Sequence, residues 1–169
     1  MNKIAIIGSG GSGKSTLARQ MGEKLNIQVW HLDSLLWKPN WEPTTKEEQM
    51  TIQKKVMKQE RWIIDGNYNG TMEMRLDAAD TIIFLDQSRV ICVYRVFKRM
   101  LKYRNKTRPD MKEGCTERLD LNFLKWIWDY PNTKKPLILD KLGKRLEEKN
   151  IFILSSRQEV VRFLERIKE

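Results

Sequence analysis

The sequence predicts an α/β fold of three layers, in which a parallel sheet of five strands carries helices on both faces. One observation is that short apolar runs alternate with stretches of helical periodicity. A second is that the runs are apolar along their length, as expected of parallel strands that are joined by crossover helices and buried on both faces. The predicted strands are residues 4–7, 27–33, 61–65, 81–86 and 151–154. A length of 169 residues suits a single domain, which we expect to span residues 1–169.

The first strand leads into a glycine-rich loop. The run Ile4-Ala5-Ile6-Ile7 is followed by Gly8-Ser9-Gly10-Gly11-Ser12-Gly13-Lys14-Ser15-Thr16, after which apolar residues recur at helical spacing. This spacing lets backbone N–H groups point at polyphosphate oxygens, while the lysine reaches the outer phosphates and the serine hydroxyl ligates Mg²⁺. A turn that binds nothing is the alternative, but the motif and both flanks agree. We predict that Gly8 to Thr16 bind ATP, with Lys14 also catalytic and Ser15 a metal ligand.

The second and third strands each end in a carboxylate. Asp33 ends the run 27–33 and Asp65 ends the run 61–65, and functional groups gather at the carboxyl ends of parallel strands. We predict that Asp65 orients Mg²⁺. Asp33 has two interpretations: it acts on an acceptor hydroxyl as a catalytic base, or it caps the next helix. His31 is predicted, by strand alternation, to point to the opposite face as a core residue.

A proline-containing loop, residues 37–43, follows the second strand. Its tryptophans, Trp37 and Trp41, either stack on an acceptor ring or pack beneath the loop. Thr45 and Glu48 then form a capping-box pattern, which predicts a helix that runs towards Lys58.

Residues 89–118 carry ten basic and three acidic side chains, in a chain of formal net charge +10. The pattern predicts a helix with an apolar face that packs and an opposite basic face. The apolar face consists of Val90, Val93, Phe97 and Leu101. Arg95 and Arg99 lie one turn apart on the basic face, and we predict that both are catalytic and hold the polyphosphate opposite the glycine-rich loop. The alternative is a solvated face without a ligand.

Further along the chain, the sequence predicts a loop over residues 105–115 and helices before and after the fifth strand. A helix is expected over residues 119–130, and the last helix is capped by Ser156. Arg157, just after the fifth strand, either lies across a nucleotide base or faces solvent.

Composition excludes several classes of protein. No apolar run approaches the roughly twenty residues of a membrane span, and the start of the chain leaves no room for a secretory signal, so we expect no membrane association and a cytoplasmic location. Cys92 and Cys115 are isolated, which indicates neither a zinc site nor a disulfide framework. No apolar stripe is expected apart from the core, so the sequence predicts nothing about oligomeric state.

These motifs resemble the adenylate-kinase-like group of small P-loop kinases over essentially the whole chain. The resemblance rests on the loop at residues 8–16, on Asp65-Gly66 and on Arg95-x-x-x-Arg99. It implies a P-loop NTPase sheet with strand order 2-3-1-4-5, ATP and Mg²⁺ as cofactors, and a basic helical lid over residues 99–130, with Arg95 and Arg99 as lid-side arginines.

A closer resemblance is to bacterial DNA topology modulation (FlaR-related) proteins. His31-Leu32-Asp33, residues 62–68 and the arginine-rich segment carry it. Adenylate kinases follow the strand-three Asp-Gly with a Phe-Pro-Arg-like tripeptide, whose arginine grips the acceptor phosphate, whereas this chain has Asn67-Tyr68-Asn69. A nucleoside monophosphate acceptor is therefore less favoured, and Asp33 resembles the acceptor-binding carboxylate of metabolite and nucleoside kinases.

The preferred prediction is an ATP-dependent small-molecule kinase that moves the γ-phosphoryl group to a hydroxyl metabolite, nucleoside or nucleotide. One alternative is a nucleotide-regulated nucleic-acid-binding protein that affects DNA topology, which the basic segment and six tryptophans would suit. Binding to nucleic acid is not favoured, because no base-reading motif occurs. The other alternative is a plain ATPase.

Overall fold

The structure is a computed structural model that describes residues 1–167. Its strands are β1 Lys3–Gly8, β2 Val29–His31, β3 Trp37–Lys38, β4 Glu42–Pro43, β5 Trp62–Asp65, β6 Thr81–Leu85 and β7 Asn150–Leu154. Its α-helices are α1 Lys14–Leu25, α2 Leu32–Leu36, α3 Lys46–Met57, α4 Met72–Ala78, α5 Arg89–Lys102, α6 Leu121–Thr133, α7 Lys135–Gly143 and α8 Arg157–Arg166. Two short 3₁₀ turns span Pro39–Trp41 and Asn69–Thr71.

Five of these strands form one parallel sheet, in the order β2-β5-β1-β6-β7. Counted along the chain without the small β3–β4 hairpin, this order is 2-3-1-4-5, as predicted. The predicted fold class is confirmed, because helices cover both faces of the sheet.

Strand β1 divides the core in two, because its side chains alternate between the faces. Ala5 and Ile7 pack on the face covered by α2, α3, α4, α6 and α7. Ile4 and Ile6, both 0% exposed, pack on the opposite face against α1 and α8. Full burial of an isoleucine side chain contributes about 2 kcal/mol, so the strand that leads into the glycine-rich loop is among the most firmly held segments.

Helix α5 differs from its predicted packing. Its buried residues are Cys92 and Val96, whereas three members of the predicted packing face, Val90, Phe97 and Leu101, are 60%, 48% and 57% exposed. The expectation was wrong because α5 does not lie on the sheet: it packs on the glycine-rich loop and on α6, which selects a different ridge. An apolar stripe is thus exposed on α5, contrary to the expectation that none would be.

The predicted lid region, residues 99–130, contains the end of one helix, a long loop and most of the next helix. Helix α5 ends at Lys102 and α6 begins at Leu121. The 103–120 loop between them carries only isolated bridges, Arg104 with Glu117 and Thr107 with Thr116. It lies against the hairpin of β3 and β4, the 37–43 hairpin, which comes from the opposite side of the glycine-rich loop.

Three hydrogen bonds join this loop to the hairpin. Trp41 Nε1 donates to Thr116 O at 3.0 Å, the Asn40 N–H donates to Gly114 O at 3.2 Å, and Cys115 Sγ donates to Lys38 O at 3.2 Å. Both cysteines are free thiols. Among residues 1–167, none of the helices combines the length and apolar character needed to cross a membrane.

Candidate active site

The glycine-rich loop connects β1 to α1 and opens into a cavity of about 630 Å³. Gly10, Gly11, Gly13, Lys14, Ser15 and Thr16 line this cavity. The other motif residues lie elsewhere: Gly8 ends β1, and Ser9 and Ser12 are buried with their hydroxyls turned inward. The predicted phosphate-binding residues therefore divide into a cavity-facing set and a supporting set.

Helices α5 and α6 press directly on the loop. A Cβ at Gly10 would stand 2.5 Å from Phe123 Cζ, and one at Gly11 would stand 2.4 Å from the carbonyl oxygen of Cys92. Gly11 also has a φ of +75°, which L side chains rarely adopt. Glycine is thus required here by helix packing as well as by the room that phosphate needs.

Lys14 is held inside the loop. Its Nζ donates a hydrogen bond to Ser9 O at 2.8 Å. Burial lowers the pKa of Lys14, while the charges of Asp65 and Asp33 oppose that shift. Because two carboxylates share its surroundings, the ammonium group lies between the loop and the acidic side of the cavity.

Ser15, Asp65 and His31 form a hydrogen-bonded chain. Ser15 Oγ donates to Asp65 Oδ2 at 2.8 Å, and the other carboxylate oxygen lies 2.6 Å from His31 Nδ1. The parallel register of β2 and β5 sets His31 opposite Asp65. Burial lowers the pKa of His31, but the hydrogen bond and charge of Asp65 outweigh burial and raise it overall. The chain fixes both carboxylate oxygens of a residue that is only 4% exposed.

The prediction that His31 faces away from the site is therefore wrong. Residues 31 and 33 are two positions apart and would share a face of an extended strand, so alternation does not separate them; in the structure β2 ends at His31 and Asp33 is the second residue of α2. His31 occupies the N-cap position of that helix, and no side-chain bond caps it. The interpretation of Asp33 as a helix cap thus has no support.

Asp33 instead faces the cavity. Tyr68 Oη donates to its Oδ1 at 3.0 Å, and Arg108 Nη2 lies 4.0 Å from its Oδ2. Its side chain keeps 47% of its surface accessible because it borders the cavity, yet protein surrounds it. This shielding from bulk water raises the pKa of Asp33, against the lowering charges of Arg108 and Lys14.

Asn67 and Tyr68, the first two residues of the tripeptide that lacks the expected acceptor arginine, have other contacts. Asn67 Oδ1 accepts a hydrogen bond from the Gly8 N–H at 3.0 Å, so it fixes the start of the glycine-rich loop. Tyr68 has a left-handed φ of +33°, and this conformation points its hydroxyl at Asp33. Arg75, the next arginine along the chain, is 1% exposed and donates to the carbonyls of Gly66 and Asn67.

Both predicted catalytic arginines line the cavity with Lys14. Arg95 Nη1 donates to Ser12 O at 3.2 Å, and Arg99 Nε donates to Glu117 Oε1 at 2.9 Å. Burial lowers the pKa of Arg99, and the charge of Arg108 adds to this shift.

The 103–120 loop supplies further charged residues that the sequence did not indicate. Arg108, only 7% exposed, lies 3.0 Å from Glu117 and 3.6 Å from Asp110, in addition to its approach to Asp33. The loop residues Arg108, Asp110 and Glu117 follow neither a helical nor a strand period. The one sequence feature that pointed to them was the excess of charged residues in 89–118. Arg118 also lines the cavity, over the Trp41 ring.

The remaining predicted residues divide between the cavity and the surface. Trp37 and Trp41 line the cavity and contact each other edge to face, with ring centroids 5.6 Å apart. Arg157 does not line this cavity; it is an exposed residue at the start of α8. Its contact with a nucleotide base stays a prediction.

The oxygen donors fit magnesium. The hydroxyl of Ser15 and the carboxylate of Asp65 are hard ligands at hydrogen-bond distance from each other. Within residues 1–167 there is no cluster of three or more His, Cys, Asp or Glu side chains suited to a metal. A site of one or two protein oxygens suits Mg²⁺, which usually completes its shell with water and substrate phosphates.

Comparison with known structures identifies the fold as that of small P-loop kinases. A shikimate kinase from Acinetobacter baumannii in complex with shikimate matches with a TM-score of 0.63 and 12% identity, over 98% of this chain and 90% of that one. A gluconokinase from Sinorhizobium meliloti 1021 matches with a TM-score of 0.55 and 14% identity, over 98% and 92%. No protein-family model and no curated protein matches the sequence.

Proposed function

We propose that this protein is an ATP-dependent kinase that transfers the γ-phosphoryl group to a hydroxyl of a small molecule. The observation that carries the proposal is that a single cavity contains the phosphate-binding loop, the pair Ser15 and Asp65, and the acceptor-side carboxylate of Asp33. The structural neighbours are by name kinases of small molecules, which agrees with this conclusion.

On the donor side, Lys14 and the loop N–H groups bind the phosphates, and Arg95 and Arg99 stabilise the charge of the moving phosphoryl group. Ser15 and Asp65 would hold Mg²⁺, which would supply positive charge to stabilise the phosphates. His31 keeps the Asp65 carboxylate in one orientation through its 2.6 Å contact.

On the acceptor side, Asp33 accepts the hydroxyl proton as the acceptor oxygen bonds to the γ-phosphorus and ADP leaves with its bridging oxygen. Tyr68 orients the carboxylate, and the raised pKa of Asp33 brings it closer to neutral pH, where a general base works best. Trp37 and Trp41 border the same side and give the acceptor an apolar face to lie on.

The acceptor carries no phosphate in this proposal. Of the arginines near Asp33, Arg75 is buried against backbone carbonyls and Arg108 already faces three carboxylates, Asp33, Asp110 and Glu117. Neither of these two arginines is free to bind a second phosphate group; Arg118, over the Trp41 ring, also lines the cavity but is not shown in contact with Asp33. A hydroxyl metabolite or nucleoside suits this site better than a nucleoside monophosphate.

The placement of the basic residues also favours a kinase over a nucleic-acid-binding protein. Five of the ten basic side chains of residues 89–118 line the cavity: Arg95, Arg99, Lys102, Arg108 and Arg118. The relation to DNA topology modulation proteins stays a prediction, and duplex binding at two salt concentrations tests it, because phosphate contacts weaken steeply with salt. A kinase of this kind would work in the cytoplasm, where ATP is abundant.

The test is ADP release from Mg-ATP by the purified protein, with a panel of polyols, nucleosides and nucleoside monophosphates as acceptors. We expect release that depends on one acceptor class and is lost in Lys14→Ala. Release that no acceptor stimulates would indicate a plain ATPase, and stimulation by a monophosphate would overturn the acceptor class.

A further inference from the structure

Glu117 joins the two arginines that flank the reaction space. Its Oε1 accepts a hydrogen bond from Arg99 Nε at 2.9 Å, and its Oε2 lies 3.0 Å from Arg108 Nε. The side chain is 5% exposed. A single buried carboxylate therefore contacts one arginine of α5 and one of the 103–120 loop, with one oxygen for each.

The atoms used by this carboxylate determine where the arginines point. A guanidinium group has one Nε and two terminal nitrogens. Glu117 accepts a hydrogen bond from Nε of Arg99 and forms an ion pair at 3.0 Å with Nε of Arg108, whose N–H is not aligned for a hydrogen bond. The terminal nitrogens are thus directed away from Glu117. For Arg108 they reach Asp110 at 3.6 Å and Asp33 at 4.0 Å, and Arg99 lines the cavity on the side of Lys14.

The positive charges of Arg99 and Arg108 give a second reason for a carboxylate at position 117. Two arginines this close repel each other in a partly buried site, and burial together with the charge of Arg108 lowers the pKa of Arg99. Glu117, which itself lines the cavity, compensates both charges at their Nε side, so the terminal nitrogens of Arg99 remain available to phosphate oxygens.

The position of Glu117 depends on the contact between loop and hairpin. Its backbone N–H donates to Lys106 O at 2.9 Å, which fixes it across the loop. The two preceding residues, Cys115 and Thr116, form hydrogen bonds with Lys38 and Trp41 of the 37–43 hairpin. Glu117 therefore stands between its two arginines while the 103–120 loop lies on the hairpin.

We propose that Glu117 is a positioning residue that aims Arg99 at the donor phosphates and Arg108 at the acceptor carboxylate Asp33 once the 103–120 loop lies on the 37–43 hairpin. The inference rests on the proposed function for the identity of the donor. It adds that a carboxylate of the loop, which touches no reacting atom, orients both cations.

The experiment compares Glu117→Gln with the wild type in binding of Mg-ADP and of Mg-AMP-PNP, a nonhydrolysable analogue that adds the γ-phosphate. In the wild type we expect tighter binding of AMP-PNP than of ADP. In Glu117→Gln this preference falls about tenfold, because Arg99 is no longer aimed, while the Kd for ADP changes less than about twofold. Glu113→Gln, an exposed change in the same loop, serves as the control and leaves both values unchanged.

A double-mutant cycle with Arg99→Met separates positioning from general damage. If Glu117 acts through Arg99, adding Glu117→Gln to Arg99→Met produces no further loss of γ-phosphate preference. Equal losses of ADP and AMP-PNP affinity, or losses that add in the double mutant, would overturn the proposal. If Glu117→Gln does not fold, Glu117→Asp, which keeps the charge but is one methylene shorter, decides the matter by the same criteria.

These measurements use no acceptor, so they are independent of the acceptor test. Failure to find any acceptor would remove the kinase assignment and leave the role of Glu117 in γ-phosphate binding standing. An unchanged preference in a well-folded Glu117 variant would remove that role and leave the kinase assignment standing.

Discussion

The hydroxyl of Tyr68 donates a hydrogen bond of 3.0 Å to the carboxylate of Asp33. The backbone of Tyr68 adopts a left-handed conformation, with φ +33°, to make this contact. Such a conformation costs a non-glycine residue about 1 kcal/mol or more, so the surrounding structure must hold it in place. The contact links the loop after β5 to the acceptor side of the cavity.

Removal of this hydroxyl should slow the proposed reaction and change its pH dependence. Asp33 must be ionised to act as a base, so activity is lost as the pH falls through its pKa, which burial raises above the ordinary value. The hydrogen bond from Tyr68 lowers that pKa, and its loss in Tyr68→Phe therefore moves the acidic limb of kcat/KM to higher pH. We expect kcat to fall about tenfold with little change in KM for ATP.

The matched control is Tyr94→Phe, because Tyr94 is 62% exposed on α5. Its pH profile should coincide with that of the wild type. An acidic limb that stays in place in Tyr68→Phe, measured with the acceptor found in the panel, would contradict the role of Asp33 as base.

The carboxylate of Asp80 should make folding stability depend on pH. It accepts hydrogen bonds from the N–H groups of Asn2 and Lys3 and from the Thr81 hydroxyl, at 2.8, 3.0 and 2.7 Å. Partial burial raises the pKa of Asp80, but these hydrogen bonds outweigh burial and lower it overall. The folded pKa is thus below the unfolded value, so the stabilisation is present at neutral pH and is lost as the pH falls through the folded pKa.

Asp80→Asn should lower the free energy of unfolding by about 1 kcal/mol at pH 7, a value reduced by solvent screening of this partly exposed group. Urea denaturation at pH 7 and below pH 4 measures this. The difference from the wild type should shrink at the lower pH, whereas the exposed Glu23→Gln should show no such trend. A difference that is equal at both values would show that the carboxylate charge is not responsible.

Gly11→Ala should damage both folding and nucleotide binding. The new methyl group would stand 2.4 Å from the Cys92 carbonyl, and the backbone φ of +75° is strained for alanine. We expect a loss of about 2 kcal/mol in stability and a Kd for ATP raised at least tenfold. Gly143→Ala is the control, because no atom lies within 4 Å of the added methyl group. That change at the end of α7 should leave ATP binding unaltered, and an equal loss there would refute the packing argument.

Arg75 should be essential for stability although it does not touch the cavity. Its guanidinium group donates to Gln53 Oε1 at 2.6 Å, to Thr71 Oγ1 at 2.9 Å and to backbone carbonyls after β5. Burial lowers the pKa of Arg75 to about 10, so it stays charged at neutral pH. Arg75→Met leaves these buried acceptors without donors and should cost about 3 kcal/mol in urea denaturation.

The exposed Arg162→Met provides the comparison and should change stability by less than about 0.5 kcal/mol. Similar losses in the two variants would mean that the buried hydrogen bonds of Arg75 are not what stabilises the loop after β5.

What the sequence could predict followed from local spacing. The glycine-rich loop, the apolar strands and the capping box at Thr45 are each contained in a few consecutive residues, and the structure has them where expected, except that β2 spans only Val29–His31 of the predicted 27–33. The proximity of Asp65 to Ser15 also followed, because strand ends of a parallel sheet meet at one edge.

The rest depends on contacts between distant segments. Whether Cys92 or Phe97 of α5 is buried depends on which element the helix meets, and periodicity alone does not contain that information. Arg108 and Glu117 lie in a loop without a period, and Asp33, which Arg108 approaches, is far away in the chain. His31 was misplaced because residues 31 and 33 share a face of an extended strand, and because its partner Asp65 lies on a neighbouring strand that local spacing does not reveal.

The contact of Gly10 and Gly11 with α5 and α6 has an evolutionary consequence. The loop surface fits the backbone at Cys92 and the side chain of Phe123, so a larger residue on either side is excluded unless the other recedes. Substitutions along this seam should therefore arise as compensated pairs among homologues. A loop transplanted from another nucleotide-binding protein would need the matching helix surfaces to be grafted with it.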